Sequence, residues 1–179
     1  MLGHVNKAFT KEDETSAPPM VPARAPLPAG TPNYVTARGL EKLKTELREL
    51  DGERARLALL AAGVDRAQAL AHLAARKSAL EERLAGATLV DATKQPRDEV
   101  RFGANVDVRT ASGASRTYRI VGVDEAEPAA GLVAFISPIA RALLGRSAGE
   151  SVSVRTPRGE EELEIVGIAY GEPADARTS

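Results

Sequence analysis

Three carboxylates, Asp124, Glu125 and Glu127, stand within four residues of one another. Such a density could serve a divalent metal or general acid/base work if the side chains converged. They run into Pro128 in a stretch of loop character, and loop acids of this kind are ordinarily solvated. Ser137 would need a histidine partner to act as a nucleophile. The only histidines are His4, in a proline- and alanine-rich N-terminal stretch, and His72, in a helical pattern with no Asp, Glu, Cys or second His at i+3 or i+4. Cysteine is absent, which removes thiol catalysis, disulfides and cysteine-ligated zinc. The glycines are scattered as turn residues and form no phosphate-cradling loop. Asp65 is the sole acid between Arg54 and Leu80. These residues support no catalytic set, no metal site and no cofactor, so the expectation is a protein that acts by contact and is not an enzyme.

What must position any contact surface is a pair of heptad-patterned segments between Tyr34 and Asp91. Leu40, Leu43, Leu47, Leu50, Arg54, Leu57 and Ala61 recur at alternating spacings of 3 and 4, and Leu70, Leu73, Lys77, Leu80, Leu84 and Ala87 continue the rule. That period marks a coiled-coil seam, and the short connection permits only an antiparallel return. The predicted layers pair Ala61 with Leu70, Leu57 with Leu73, Arg54 with Lys77, Leu50 with Leu80, Leu47 with Leu84 and Leu43 with Ala87. Thr36 is the expected N-cap of the first helix, and the helix is expected to run through Gly52. At the turn, Gly63 is expected to end the first helix in the left-handed conformation. Asp65 with Gln68 is expected to form a capping box for the second. The Arg54/Lys77 layer has two readings: long stems that snorkel out of the seam, or a basic collar that meets an acidic or phosphate-bearing partner.

From Asp98 the period shifts towards alternation. Val106 and Val108, then Tyr118, Ile120, Val121 and Val123, read as strands about a Ser112-Gly113 turn, with a further strand at 132–136. Ser137-Pro138 is an N-cap followed by proline at the first helical position, which predicts a short helix over 139–144 that stops at Gly145. Segments 151–155 and 161–168 predict a hairpin about Pro157-Arg158-Gly159. Arg141 and Arg146 either form a recognition edge or solubilise the helix. The predicted fold class is α+β, an N-terminal antiparallel helical hairpin plus a bent antiparallel β-sheet domain with one short helix. The predicted division is a disordered tail over 1–32, the hairpin over 33–91, a linker over 92–99, the β domain over 100–170 and a disordered tail over 171–179. Net charge is -1 and aromatics make up 3%, which disfavours a general nucleic-acid binder and suits a slim helical part with a small β core. No apolar run reaches membrane-spanning length and no secretory signal is apparent, so the expected location is the cytoplasm.

The stretch Val35-Thr36-Ala37-Arg38-Gly39-Leu40-Glu41-Lys42-Leu43 resembles the opening of the bacterial GreA/GreB transcript cleavage factors. Phe102-Gly103-Ala104, Tyr118-Arg119-Ile120-Val121-Gly122-Val123-Asp124-Glu125, Ile136-Ser137-Pro138-Ile139-Ala140-Arg141-Ala142-Leu143-Leu144-Gly145 and Thr156-Pro157-Arg158-Gly159 extend the likeness over roughly 34–170, with the GreB type nearest. The resemblance implies an FKBP-like C-terminal domain that docks on the rim of the RNA polymerase secondary channel, and a coiled coil that reaches through the channel. It implies polymerase-binding roles for Ile136, Ser137, Pro138, Arg141, Leu144 and Arg146, and channel-facing roles for Arg54, Asp65, Arg66 and Lys77. Nucleic acid would be met only indirectly, through the transcription complex, and the expected state is a monomer with no membrane partner.

In cleaving members, acids at the hairpin tip help the polymerase hold its second magnesium. Here the tip reads Ala61-Ala62-Gly63-Val64-Asp65-Arg66, with Asp65 alone and Arg66 beside it. The patterned hairpin is also shorter than the family's by roughly 10 residues per arm, or about 15 Å of reach. The expectation is therefore a channel-binding factor that modulates elongation or initiation without stimulating cleavage. A regulator of nucleoside diphosphate kinase type, a cleavage-competent Gre factor, a peptidyl-prolyl isomerase and a hairpin-dimerised scaffold are the alternatives.

Overall fold

The computed structural model describes residues 24–156 and 159–171. The predicted tails over 1–23 and 172–179, and residues Pro157 and Arg158 of the predicted turn, lie outside the described residues.

Two helices of equal length form the hairpin, α1 (Ala37–Ala58) and α2 (Val64–Ala85), each about 33 Å long at 1.5 Å per residue. Thr36 caps α1 as its sequence position predicts: its extended backbone turns the hydroxyl to accept from the Gly39 amide at 3.0 Å. Leu43, Leu50, Leu73 and Leu80 are buried along the seam, with Leu40, Leu47, Leu57, Leu84 and Ala87 packed against them. The heptad leucines of both helices thus form the packed face of the hairpin, and Gly52 lies inside α1.

The turn differs from expectation. α1 stops at Ala58, and Leu59 and Leu60 donate to the carbonyls three residues back, Arg56 and Leu57, both at 3.2 Å. The helix tightens and ends because the next layer would bury only the methyl of Ala61, too little to hold another turn. Gly63 is extended, with φ 179, and is the N-cap of α2 without a side-chain bond. Asp65 therefore lies inside the first turn of α2 and forms no capping box. Its carboxylate favours the positive end of the helix but closes no ring.

At the base, two short strands flank the hairpin. β1 (Asn33–Val35) pairs in parallel with β2 (Ala87–Leu89), and Asn33 Nδ2 donates to the Arg83 carbonyl at 2.7 Å. Residues 24–32, predicted as disordered tail, run along this base instead, held by Arg24 and by a bond from Arg83 to the Ala25 carbonyl at 2.5 Å.

The remaining strands form one curled sheet in the order β5-β4-β3-β7-β6. They are β3 (Ala104–Thr110), β4 (Ser115–Val121), β5 (Leu132–Ala134), β6 (Ser151–Thr156) and β7 (Gly159–Tyr170). Every pairing is antiparallel except β4 with β5, which is parallel. The expected all-antiparallel sheet thus gains one parallel edge, because the 3-10 turns at Val123–Glu125 and Pro128–Ala130 carry the chain back before β5 begins. Opposite Asp107/Val108 the register skips Val166, a bulge in β7 that bends this strand, as bulges do. α3 (Pro138–Leu143) covers the concave face, where Ala140 and Leu143 join Val106, Val108, Ile120 and Ile165 in the core.

Tyr170 ties the end of β7 to the irregular segment before β3. Its hydroxyl donates to the Glu99 carbonyl at 2.6 Å and accepts from the Arg101 amide at 2.8 Å. Burial raises its pKa. A raised folded pKa means that its contribution is complete below the ordinary tyrosine range and is lost as pH climbs through the folded value. Tyr170→Phe is expected to cost about 1 kcal/mol at neutral pH, measured by urea unfolding, with the deficit narrowing above about pH 10.

Candidate contact surfaces and the joint that aims them

The three acids noted first in the sequence divide by environment. Glu125 is buried. Its carboxylate accepts from the Thr36 amide at 3.1 Å, the Thr36 hydroxyl at 2.5 Å and the Gly122 amide at 3.3 Å. Asp124 takes the Arg83 guanidinium at 3.0 Å and that of Arg24, while its carbonyl accepts from Lys42 Nζ at 3.1 Å. Only Glu127 is exposed. The expectation of solvated loop acids is thus corrected for Asp124 and Glu125. The 3-10 turn that holds them is pressed against the start of α1, so their oxygens replace water with protein donors.

Two glycines make that approach possible. A Cβ at Gly39 would overlap the Glu125 carboxylate, and one at Gly122 would lie 2.6 Å from the Tyr34 carbonyl. Above them Tyr34, Phe102 and Phe135 form a triangle with ring centroids 5.6 to 5.8 Å apart, spacings at which edge-to-face packing is favourable. Arg24 bridges Glu46 of α1, at 2.5 Å, to Asp124. Its pKa stays raised because, although burial pulls it down, the bonds to Glu46 and Asp124 outweigh that cost. None of this joint is visible to local patterning. The one available signal was the concentration of a scarce residue class, since three of the six Phe and Tyr residues meet here.

The residues singled out from the sequence occupy two other places. At the far end, Leu59, Leu60 and Val64 are 88%, 57% and 74% exposed. Asp65 is exposed beside them, and Arg66 donates to the Leu60 carbonyl at 2.6 Å. Half-way down, Arg54 is exposed while Lys77 swings out to Asp51 at 2.5 Å and lies 3.7 Å from Glu81. The Asp51 bond raises the Lys77 pKa. The two cations leave the seam, as snorkelling requires, and one of them is already met by acids. Arg76 and Glu53 pair across the hairpin at 3.5 Å. His72 is exposed on α2.

On the β-sheet side, the Ser137 hydroxyl accepts from the Ala140 amide at 3.3 Å and so caps α3, with Pro138 at its first position. Ile136 and Leu144 are half-buried, Arg141 is exposed, and Arg146 lies 3.5 Å from Glu150. Ile136 through Arg146 therefore forms one edge with an apolar base and cationic tips. Among the described residues no group of three or more His, Cys, Asp or Glu could hold a metal ion, and no helix is long and apolar enough to cross a membrane.

A two-helix hairpin with a curled β sheet locked to its base defines a two-part architecture. Sequence comparison gives the family. A family model described as "Transcription elongation factor, GreA/GreB, C-term" matches residues 95–170. The Transcription elongation factor GreA of Desulfovibrio desulfuricans is 36% identical over 150 residues, covering 76% of this chain and 93% of the relative. That of Alkalilimnicola ehrlichii is 41% identical over 152 residues, covering 76% and 96%. The chain belongs to the GreA/GreB family of transcription elongation factors. Among solved structures, that of GreA factor homolog 1 (Gfh1) of Thermus thermophilus matches at 22% identity over 78% of this chain and 99% of that one, with a TM-score of 0.37. The relatives carry the GreA name, so the GreB-like shade of the sequence reading gains nothing from them. Nor do the nucleoside diphosphate kinase regulator and prolyl isomerase readings.

The joint can be tested by stability alone. Glu125→Ala strands buried donors and is expected to cost about 3 kcal/mol. Glu127→Ala, on the exposed acid two residues away, should stay within about 0.5 kcal/mol. Guanidinium unfolding of both variants reads the difference.

Proposed function

We propose that this factor binds RNA polymerase through the Ile136–Arg146 edge of its β sheet, with Ile136, Ser137, Pro138, Arg141, Leu144 and Arg146 as the contact residues. The hairpin extends into the secondary channel, where Arg54, Asp65, Arg66 and Lys77 face the channel, and the factor modulates transcription without stimulating transcript cleavage. It works as a monomer of two units, the hairpin and the sheet, and meets nucleic acid only through the transcription complex.

The observation that carries this reading is the composition of the tip. Two-metal hydrolysis needs carboxylates around a weakly held ion. The tip presents one, Asp65, next to Arg66 and three exposed aliphatic side chains. A lone carboxylate beside a guanidinium is poorly placed to recruit a divalent cation.

One relative is also longer than this chain within the matched region. The 150 aligned positions of the Desulfovibrio relative exceed the residues that 76% of this 179-residue chain can supply. The relative therefore holds residues with no counterpart here. The 102-position match to the Anaeromyxobacter GreA, at 47% identity, draws on 56% of the chain and is nearly free of such gaps.

Backtracked elongation complexes with magnesium provide the test. The expected result is transcript shortening at the intrinsic rate only, together with slower cleavage when the protein competes with a cleaving Gre factor. Acceleration that disappears in Asp65→Ala would reverse the reading. Separately, Arg141→Glu should weaken binding to core polymerase about tenfold, close to 1.4 kcal/mol, while leaving the unfolding midpoint unchanged.

A further inference from the structure

We propose that Leu59, Leu60 and Val64, at the end of the hairpin, form an apolar contact for a protein surface of the polymerase, met once the sheet edge has docked. This contact rests on the binding mode proposed above and names what the tip touches: polypeptide, not transcript. Among the described residues five large apolar side chains stand exposed, Leu59, Leu60, Val64, Leu89 and Val166. The first three cluster at the tip. Single exposed apolar residues are ordinary, whereas a cluster of them marks a contact surface.

The fold makes no use of their apolar character. α1 has ended at Ala58, and Leu59 and Leu60 take part in the turn through their backbone, donating to the Arg56 and Leu57 carbonyls. Neither they nor Val64 joins the packed leucines of the seam. Polar side chains would serve the same turn. The turn is nevertheless held in shape, since Arg66 Nη1 of α2 donates to the Leu60 carbonyl at 2.6 Å. A patch fixed in advance loses less freedom on contact.

Composition and area decide the occupant. Between Val35 and Arg101 there is no Phe, Tyr or Trp, so the hairpin offers no ring on which a base could stack. Leu59 through Arg66 carries one acid, Asp65, and one base, Arg66, so the tip has no net positive charge for a phosphate backbone. A second copy of the chain is a poor match too. A lasting protein interface takes about 20–30 residues from each side, far more than Leu59 through Arg66 supplies. A patch this small serves a partner that is already held elsewhere, because the second contact of a tethered pair needs little affinity of its own. In the proposed mode the Ile136–Arg146 edge provides that first hold.

The test uses the full chain and core polymerase. The triple variant Leu59→Gln/Leu60→Gln/Val64→Thr changes only exposed side chains, so its unfolding midpoint should match that of the natural chain. It is expected to bind core polymerase on the order of tenfold more weakly, by the same factor at low and high salt. The loss in Arg141→Glu should instead shrink as salt screens it. A benzophenone probe at position 60 is expected to cross-link to a polymerase polypeptide within the complex. Natural affinity in the triple variant, beside weakened binding in Arg141→Glu, would overturn the tip contact and leave the docking edge standing. No binding by the natural chain itself would remove the docking mode and the tip contact together. A cross-link to the transcript, or between two copies of the chain without polymerase, would also overturn the tip contact.

Discussion

The geometry of the whole molecule hangs on one buried carboxylate. Glu125 takes three donors, two from Thr36 and one from Gly122, and Thr36 in turn caps α1 through Gly39. Burying a carboxylate costs several kcal/mol unless its oxygens are well satisfied. Here the donors are fixed by the backbone, and the positive end of a helix adds to them. The bond set spans the two halves of the chain, so it forms only when both are folded and correctly placed. A rod needs such a fixed base. An angular play of 10° at the base would move the end of a 33 Å helix by about 6 Å, more than the width of a side chain.

Around Glu125 stands a second tier of different character. Asp124 gathers Arg24 and Arg83, Arg24 reaches Glu46, and the rings of Tyr34, Phe102 and Phe135 close over the other side. Arg83 is buried almost fully, so its partner is obligatory: losing one member of such a pair leaves a charge without water or counter-ion. Adjacent acids thus do unlike work. Glu125 satisfies donors at the start of a helix, and the Asp124 carboxylate neutralises cations arriving from two segments.

This division explains what could be read from the sequence. The seam was legible because Leu43, Leu50, Leu73 and Leu80 repeat with the helix period, and Thr36 and Ser137 because capping depends on residues three apart. The strands of the sheet showed by alternation. Three features were hidden, each for a physical reason. β1 and β2 are three residues long and parallel, and each residue's partner is 54 positions away, so no local period exists. Glu125 looks like any loop acid until the fold brings Thr36 to it. At the turn, Asp65 and Gln68 fit a capping pattern, but the N-cap lies two residues earlier, at Gly63. There the thin top layer, a methyl opposite Leu70, lets α1 end first.

The two ends of the hairpin are consequently held by opposite means. At the base, strand pairing, a buried carboxylate and an ion network fix the helices from three sides. At the tip, α1 ends in i−3 bonds and α2 begins without a side-chain cap, while Leu59, Leu60 and Val64 leave the packing altogether. Local opening free energy tracks buried apolar contact and protected backbone bonds, so it must fall from base to tip. The Arg54/Lys77 layer marks the step, since above it only Leu57, Leu70 and Leu73 remain to hold the helices together. A partner that meets the tip can reshape the last turns at little cost without disturbing the aim set by Glu125. The apolar side chains there then gain what water denies them, an enclosed surface. A rod stiff at its root and yielding at its end can be delivered to one place and still adjust its contact on arrival.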